Sequence, residues 1–231
     1  MTIKTICITD LETTGIDTSA DVPVEIACAF YSLKHRCVIS SASFLVDEGK
    51  TSTEAEKVHG IPSGLIIEHG ESFVDAVRMM KIGPGTADVV TGWNAIDFDK
   101  RFFDRYACTP DLPWFDAMDL ALPRPSTSRS LIATALAHDV GVVDAHRALS
   151  DVLTIARLFK RVQESHDLSA MIAQAMKPRV TIMVAETGYD PKRNDAARQA
   201  GFKWEPESKR WIKRVVSGEY GVFPFAVREV A

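Results

Sequence analysis

Thr2-Ile3-Lys4-Thr5-Ile6-Cys7-Ile8-Thr9-Asp10-Leu11-Glu12-Thr13-Thr14-Gly15 opens on β-branched and apolar residues, meets two carboxylates two positions apart, and ends in turn formers. A short apolar run bounded by turn signals reads as a buried strand, here Thr2 to Thr9, leading to a loop. In extended backbone, positions i and i+2 project to one face, so Asp10 and Glu12 at the strand end point the same way. Acidic pairs at strand ends are common, and this pair alone fixes no chemistry.

Val22 to Ser32 and Cys37 to Val46 are β-rich and flank Lys34-His35-Arg36, which predicts a hairpin after the first strand. Residues 53–69 lack sustained periodicity. Ser72 to Ile82 spaces Phe73, Val77 and Met80 as on a helix closed by Gly83-Pro84-Gly85, and Val89-Val90 is a short strand leading into Gly92-Trp93-Asn94. Phe98, Phe102, Phe103 and Tyr106 recur at helical intervals, as do Leu131, Ile132, Ala135 and Leu136 within Ser128 to His138. The broadest apolar helical face runs from about His146 to Glu164 through Leu149, Val152, Leu153, Ala156, Leu158 and Phe159. Initial strands followed by alternating helices and a further strand describe an α/β fold, a mixed sheet with helices on both sides.

The 231 residues are 46% apolar and 25% charged, which fits a soluble globular chain of one large or two small domains and excludes disorder as the main state. No stretch approaches the ~18 consecutive apolar residues of a membrane span, and the start shows no signal-peptide pattern, so a cytoplasmic location is the expectation. Cys7, Cys28, Cys37 and Cys108 form no CxxC pair, which excludes a zinc ribbon or redox motif and leaves buried thiols as the reading. The net charge of −4 hides an asymmetry: from Met176 onward there are 11 Lys and Arg against 7 Asp and Glu, and before it 16 against 24. An acidic body suits divalent metal and a basic appendage suits a polyanion. The predicted domains are therefore 1–175 and 176–231.

Two further segments carry ionisable residues. Asp99, in Asn94-Ala95-Ile96-Asp97-Phe98-Asp99-Lys100-Arg101-Phe102-Phe103, opens a helix, where a first-turn acid can be a simple cap; the same holds for Asp97. His146-Arg147-Ala148-Leu149-Ser150-Asp151 starts the strong helix. A His five residues before an Asp need not share its face, and at a flexible helix start it can serve as a movable general base.

Taken in order, Asp10-Leu11-Glu12-Thr13-Thr14-Gly15, Asn94 to Phe103 and His146 to Asp151 resemble the three motifs of the DEDDh (DnaQ-like) 3′→5′ exonuclease superfamily. Val24-Glu25-Ile26 and Val58-His59-Gly60-Ile61 resemble its second-strand and loop segments, and the resemblance spans roughly residues 4–165. It implies an RNase H-like mixed five-stranded sheet flanked by helices. It also implies metal ligation by Asp10, Glu12, Asp99 and Asp151, with His146 as base and Thr13, Thr14 and Gly15 gripping the terminal nucleotide. The second motif is one residue longer than its commonest form, so Asp99 takes the metal role with Asp97 as the alternative.

The chemistry implied is hydrolysis of a phosphodiester, for which two hard cations, Mg²⁺ or Mn²⁺, would supply an attacking hydroxide and a stabilised leaving oxygen. An imidazole of ordinary pKa ~6.5 can take the proton from that water. The expected substrate is single-stranded DNA with a free 3′ end. The alternatives are an exoribonuclease trimming RNA, a proofreading subunit of a polymerase, or, from another class, a non-catalytic nucleic-acid-binding module. Asn94, Trp93 and Phe102 are candidates to line the substrate groove, with core packing the competing reading for the two aromatics.

Beyond Lys177-Pro178, Val180 to Ala185 reads as a strand and Pro191 to Gly201 as a short helix. Phe202-Lys203-Trp204 and Lys209-Arg210-Trp211-Ile212-Lys213-Arg214 form a hairpin of alternating basic and aromatic residues, a small α+β domain overall. Gly201 to Trp211 is similar to a small module of phage and bacterial DNA-metabolism proteins. Trp204, Lys209, Arg210 and Trp211 are candidates to hold a strand by stacking and phosphate neutralisation, and a mini-core built on the two tryptophans competes with that reading. The sequence says nothing of homo-oligomers or protein partners.

Overall fold

The structure, a computed structural model, describes residues 3–177, 179–184, 190–206, 208–216, 223 and 225–230. Among them no helix is long and apolar enough to cross a membrane. The chain divides into two compact units, Met1–Met176 and Lys177–Ala231.

The first unit is built on a five-stranded sheet: β1 (Thr5–Thr13), β2 (Pro23–Ser32), β3 (Cys37–Leu45), β4 (Val89–Gly92) and β5 (Trp114–Asp116). The order is β3-β2-β1-β4-β5; the hairpin strands pair antiparallel, and β1, β4 and β5 run parallel. This is the mixed five-stranded sheet of an RNase H-like fold. Seven helices belong to this unit: α1 (Thr53–His59), α2 (Ser63–His69), α3 (Phe73–Met80), α4 (Asp99–Arg105), α5 (Leu131–Ala137), α6 (Ala148–Val162) and α7 (Leu168–Ala175).

Strand alternation sorts the core into two layers. Ile6 and Ile8 of β1, with Ala27, Ala29 and Tyr31 of β2, pack against Val152, Ile155 and Phe159 of α6. The opposite rows, Cys7 and Leu11 with Ile26 and Cys28, pack against Phe73 and Val77 of α3 and Phe102 and Phe103 of α4. On the α6 side the row Ile6-Ile8 continues into Asp10 and Glu12, so one strand face passes from apolar to acidic as it leaves the core.

Several expectations shift. The first strand reaches Thr13 rather than Thr9, because Asp10 and Glu12 pair with Ala27 and Glu25 of β2. Residues 53–69 hold two seven-residue helices; Ser52 caps α1 at one end and Gly60, at φ 69°, closes the other. Cys7 and Cys28 are buried, but Cys37 is exposed at the start of the edge strand β3 and Cys108 is partly exposed. His138, the C-cap of α5, is buried, its Nδ1 bonded to the Thr134 carbonyl and its Nε2 accepting from the Arg124 N–H.

The second unit is a four-stranded sheet, β7-β8-β6-β9, from β6 (Arg179–Val184), β7 (Lys203–Glu205), β8 (Arg210–Val216) and β9 (Val227–Val230), with α8 (Pro191–Gln199). The expected strand to Ala185 ends at Val184, and Ala185 lies outside the described residues. Ala197, Phe202, Trp211 and Val215 form its core, joined by Phe223, Phe225 and Val227.

Candidate active site

Three elements of the first unit deliver carboxylates to one place. β1 supplies Asp10 and Glu12, the first turn of α6 supplies Asp151, and the first residue of α4 is Asp99. Ligand atoms of Asp10, Glu12 and Asp151 all lie within 4.8 Å of one another. Asp99 is outside that group, yet its charge acts on Asp10 more strongly than that of any other acid. Asp99, rather than Asp97, is thus the acid of the second motif that faces the strand; it is only 2% exposed.

The electrostatics are those of acids crowded out of water. Burial first, then the charges of Asp99, Asp151, Glu12 and Glu25, hold the Asp10 carboxyl well above the usual carboxylate range. Burial and the neighbouring Asp151 push Glu12 up to about 8. Burial raises Asp99 as well, with Asp116 adding to it. Asp151 is raised by burial, against the pull of the His146 charge and main chain. One carboxylate oxygen on each of Asp99 and Asp151 is buried without a protein hydrogen bond. Oxygen-only donors, like charged and with an unpartnered buried oxygen on two of them, fit hard divalent cations.

His146 sits two residues ahead of α6, exposed, in the left-handed region at φ 65°. Arg147 follows it and reaches across to β2: its Nε and Nη2 donate to the two carboxylate oxygens of Glu25 at 3.0 Å each. The Ala148 N–H also donates to Glu25, at 3.0 Å, so a strand carboxylate caps a helix whose own N-cap residue, Arg147, has no capping side chain. Glu25 stands directly across from Glu12 in the β1–β2 pairing, and the guanidinium of Arg147 eases the Glu12 carboxyl. A cavity of about 780 Å³ opens beside this pair, lined by Glu25, Ser43, Lys57, His59, Arg147 and Ser150 among others.

The second motif is held from below by Asp116 at the end of β5. Its Oδ1 accepts the N–H of Asn94 and of Met118, both at 2.9 Å, and burial pushes its pKa up to about 6. Asn94 is left-handed at φ 65°, a conformation Asn tolerates. Gly92 precedes it where a Cβ would lie 2.4 Å from the Thr9 carbonyl oxygen, so glycine lets β4 approach β1 closely. Neither Asp116 nor the Glu25–Arg147 pair was assigned a role from sequence. Glu25 and Arg147 were visible as parts of motif-like segments; the three-residue strand β5 gave no such signal.

The candidate substrate contacts divide. Thr13 donates its hydroxyl to the Gly15 carbonyl, while the Thr14 N–H goes to the Val22 carbonyl and its hydroxyl to Asp21. Thr14 therefore shapes the loop instead of offering its N–H to a nucleotide. Phe102 is completely buried among the core residues around α4, the core-packing one of its two readings. Trp93 is partly buried, its indole N–H bonded to the Arg129 carbonyl at 2.8 Å. In the second unit Trp211 is buried, its indole N–H bonded to Asn194 Oδ1, so it is a core residue and not a stacking platform. Trp204 is 45% exposed and packs edge-on to Trp211; Lys209 is exposed in the turn, and Arg210 is partly exposed.

No protein-family model matches the chain, and no curated protein matches it. Solved structures do. The zinc-bound E. coli ExoI–ssDNA complex aligns with TM-score 0.61 at 19% identity, over 79% of this chain and 48% of that one. Exonuclease X in complex with 5′ overhanging duplex DNA aligns with TM-score 0.58 at 23% identity, over 74% of this chain and 99% of that one. An ExoI/SSB-Ct complex aligns with TM-score 0.61 at 17% identity, over 92% and 63%. The chain thus spans about half the length of the E. coli exonuclease I structure and has the fold of these exonucleases.

Proposed function

We propose that the unit of residues 1–176 is a metal-dependent 3′→5′ exonuclease that releases mononucleotides from the free 3′ end of single-stranded DNA. The observation that carries the reading is the convergence of Asp10, Glu12 and Asp151, from two elements far apart in sequence, to within 4.8 Å. Like charges this close and largely shielded from water are costly unless a cation joins them, and they are of little use to the fold. The fold shared with exonucleases I and X supports the same reading.

Asp10, Glu12 and Asp151 would hold Mg²⁺ directly, and Asp99, standing beside Asp10, would hold a second ion partly through water. Bound there, the two ions supply a hydroxide at neutral pH and neutralise the leaving oxygen. The remaining work belongs to the chain. His146, exposed at the start of α6 and close enough for its charge to act on Asp151, takes the proton from the attacking water. The Glu25–Arg147 pair fixes the backbone between His146 and Asp151, and so sets the base against the carboxylates.

The test is incubation of 5′-labelled single-stranded DNA and matched RNA with Mg²⁺, with and without chelator. A ladder of shortening DNA that the chelator abolishes is expected. Shortening of RNA in preference to DNA would replace the substrate assignment, and no metal-dependent shortening of either would leave a non-catalytic module.

A further inference from the structure

In the second unit the alternating basic and aromatic residues do not share a face. Trp204 pairs with Trp211 across β7 and β8, and Trp211 and Val215 pack with Ala197 of α8. The odd-numbered residues of β8 therefore face the helix. The even-numbered ones, Arg210, Ile212 and Arg214, face the other side. Lys203 is directly opposite Ile212 and joins that side. Met183 of β6 is paired to Ile212 on one flank and to Arg228 of β9 on the other, which puts Arg228 in the same row. Val227, its neighbour in sequence, packs with the core on the helix side, as the alternation requires.

Among the described residues, the face away from α8 thus carries Lys203, Arg210, Arg214 and Arg228 with the carboxylate of Glu205, which accepts a hydrogen bond from Ser208. Lys203, Arg214 and Arg228 are exposed and Arg210 and Ile212 partly so. From Lys203 to Arg228 is three inter-strand steps, about 14 Å, and from Arg210 to Arg214 about 13 Å. Such a patch suits several phosphates of an extended strand. The register puts two aliphatic positions, Ile212 and Met183, in the middle of the patch, and the four cations around them match a polyanion by charge.

We infer that the helix-free face of the C-terminal sheet binds the phosphodiester backbone of a single DNA strand through Lys203, Arg210, Arg214 and Arg228. The choice of polyanion rests on the exonuclease reading of the first unit. Because the tryptophans lie on the opposite face, this binding is a matter of phosphate neutralisation; it is indifferent to base sequence and steeply salt-dependent.

The test uses the full chain, chelator to prevent cleavage, and a fluorescein-labelled oligothymidylate of about twenty nucleotides, long enough for more than one binding surface. Combining Lys203→Gln, Arg210→Gln, Arg214→Gln and Arg228→Gln should weaken binding about tenfold or more at low salt. The slope of log K against log[KCl] should fall by about 2–3, from ~0.7 per phosphate contact on single strands. Replacing the three arginines by lysine should keep both, and Lys192→Gln with Arg193→Gln, exposed cations of α8, should change neither. Should the combined variant fail to fold, single Lys203→Gln and Arg214→Gln variants should each lower the slope by about 0.7. Wild-type affinity and slope in a folded variant would overturn the assignment. So would loss of binding to oligoglutamate with DNA binding intact, which would instead mark an acidic protein partner. No arm requires turnover, so an inactive nuclease centre would not be mistaken for failure here.

Discussion

Asp10 is half-buried with four other acids acting on it. Asp10→Asn keeps its shape and removes one charge. Turnover should fall about a thousandfold or more, while the metal-free variant melts about 2–4 °C higher, on the order of 1 kcal/mol for a domain of this size. Mg²⁺ should raise the melting temperature of the wild type and leave the variant nearly unmoved; equal shifts in both would mean the ion binds elsewhere. Glu12 makes a pH-dependent counterpart. Its carboxyl is pushed up to about 8, against ~4.3 in an unfolded chain, so the folded state takes up protons that the unfolded state has already lost. The stability it contributes is complete below the unfolded value and disappears as pH rises through about 8. Denaturation in chelator across pH 5 to 8 should show this decline, and Glu12→Gln should flatten it; an unaltered slope in the variant would assign the decline to another group.

At the scale of elements, the cap on α6 links structure to chemistry. Glu25→Gln loses the charge that holds Arg147 and weakens the bond to the Ala148 N–H. We expect a stability loss of about 1–3 kcal/mol, below the usual cost of breaking a fully buried pair because Arg147 is partly exposed. The kcat should fall more than KM rises, since what moves is the angle between His146 and Asp151. An unchanged kcat with the same stability loss would reduce Glu25 to a structural role. Elements of this kind explain what sequence could and could not reveal. β1, the β2–β3 hairpin, α3 and α6 were legible because each pairs a long apolar run or face with a turn or cap. α1 and α2 escaped because each buries a single residue, His59 and Ile66, and so shows no apolar face, whereas α4 and α5 of the same length bury three each; β5 escaped because three residues show no alternation. The acids were legible as motifs, whereas their supports, Asp116 and Glu25, act through hydrogen bonds to distant backbone that no local pattern encodes. For the aromatics burial chose between two open readings: Phe102 and Trp211 have the same composition cues as a stacking surface, and only tertiary packing separates core from surface.

At the scale of the whole molecule, the chain pairs an acidic unit with a basic one. An acidic body repels the polyanion it is proposed to cut, and the basic unit offsets that repulsion at a distance through attraction to phosphate. Removing residues 177–231 should therefore raise KM for long single strands and lower its salt dependence, with kcat at saturating substrate close to that of the full chain. Loss of kcat in a folded truncation would show that the second unit takes part in cleavage itself. A last consequence follows from the cap that β2 places on α6. Asp10 and Glu12 leave the ribosome some 130 residues ahead of His146, Arg147 and Asp151, which are fixed only once α6 docks on Glu25. A nascent or prematurely terminated polypeptide ending before His146 holds three of the four acids but lacks Asp151, the proposed base and Arg147, so the proposed cleavage is withheld until the last large helix of the core is seated.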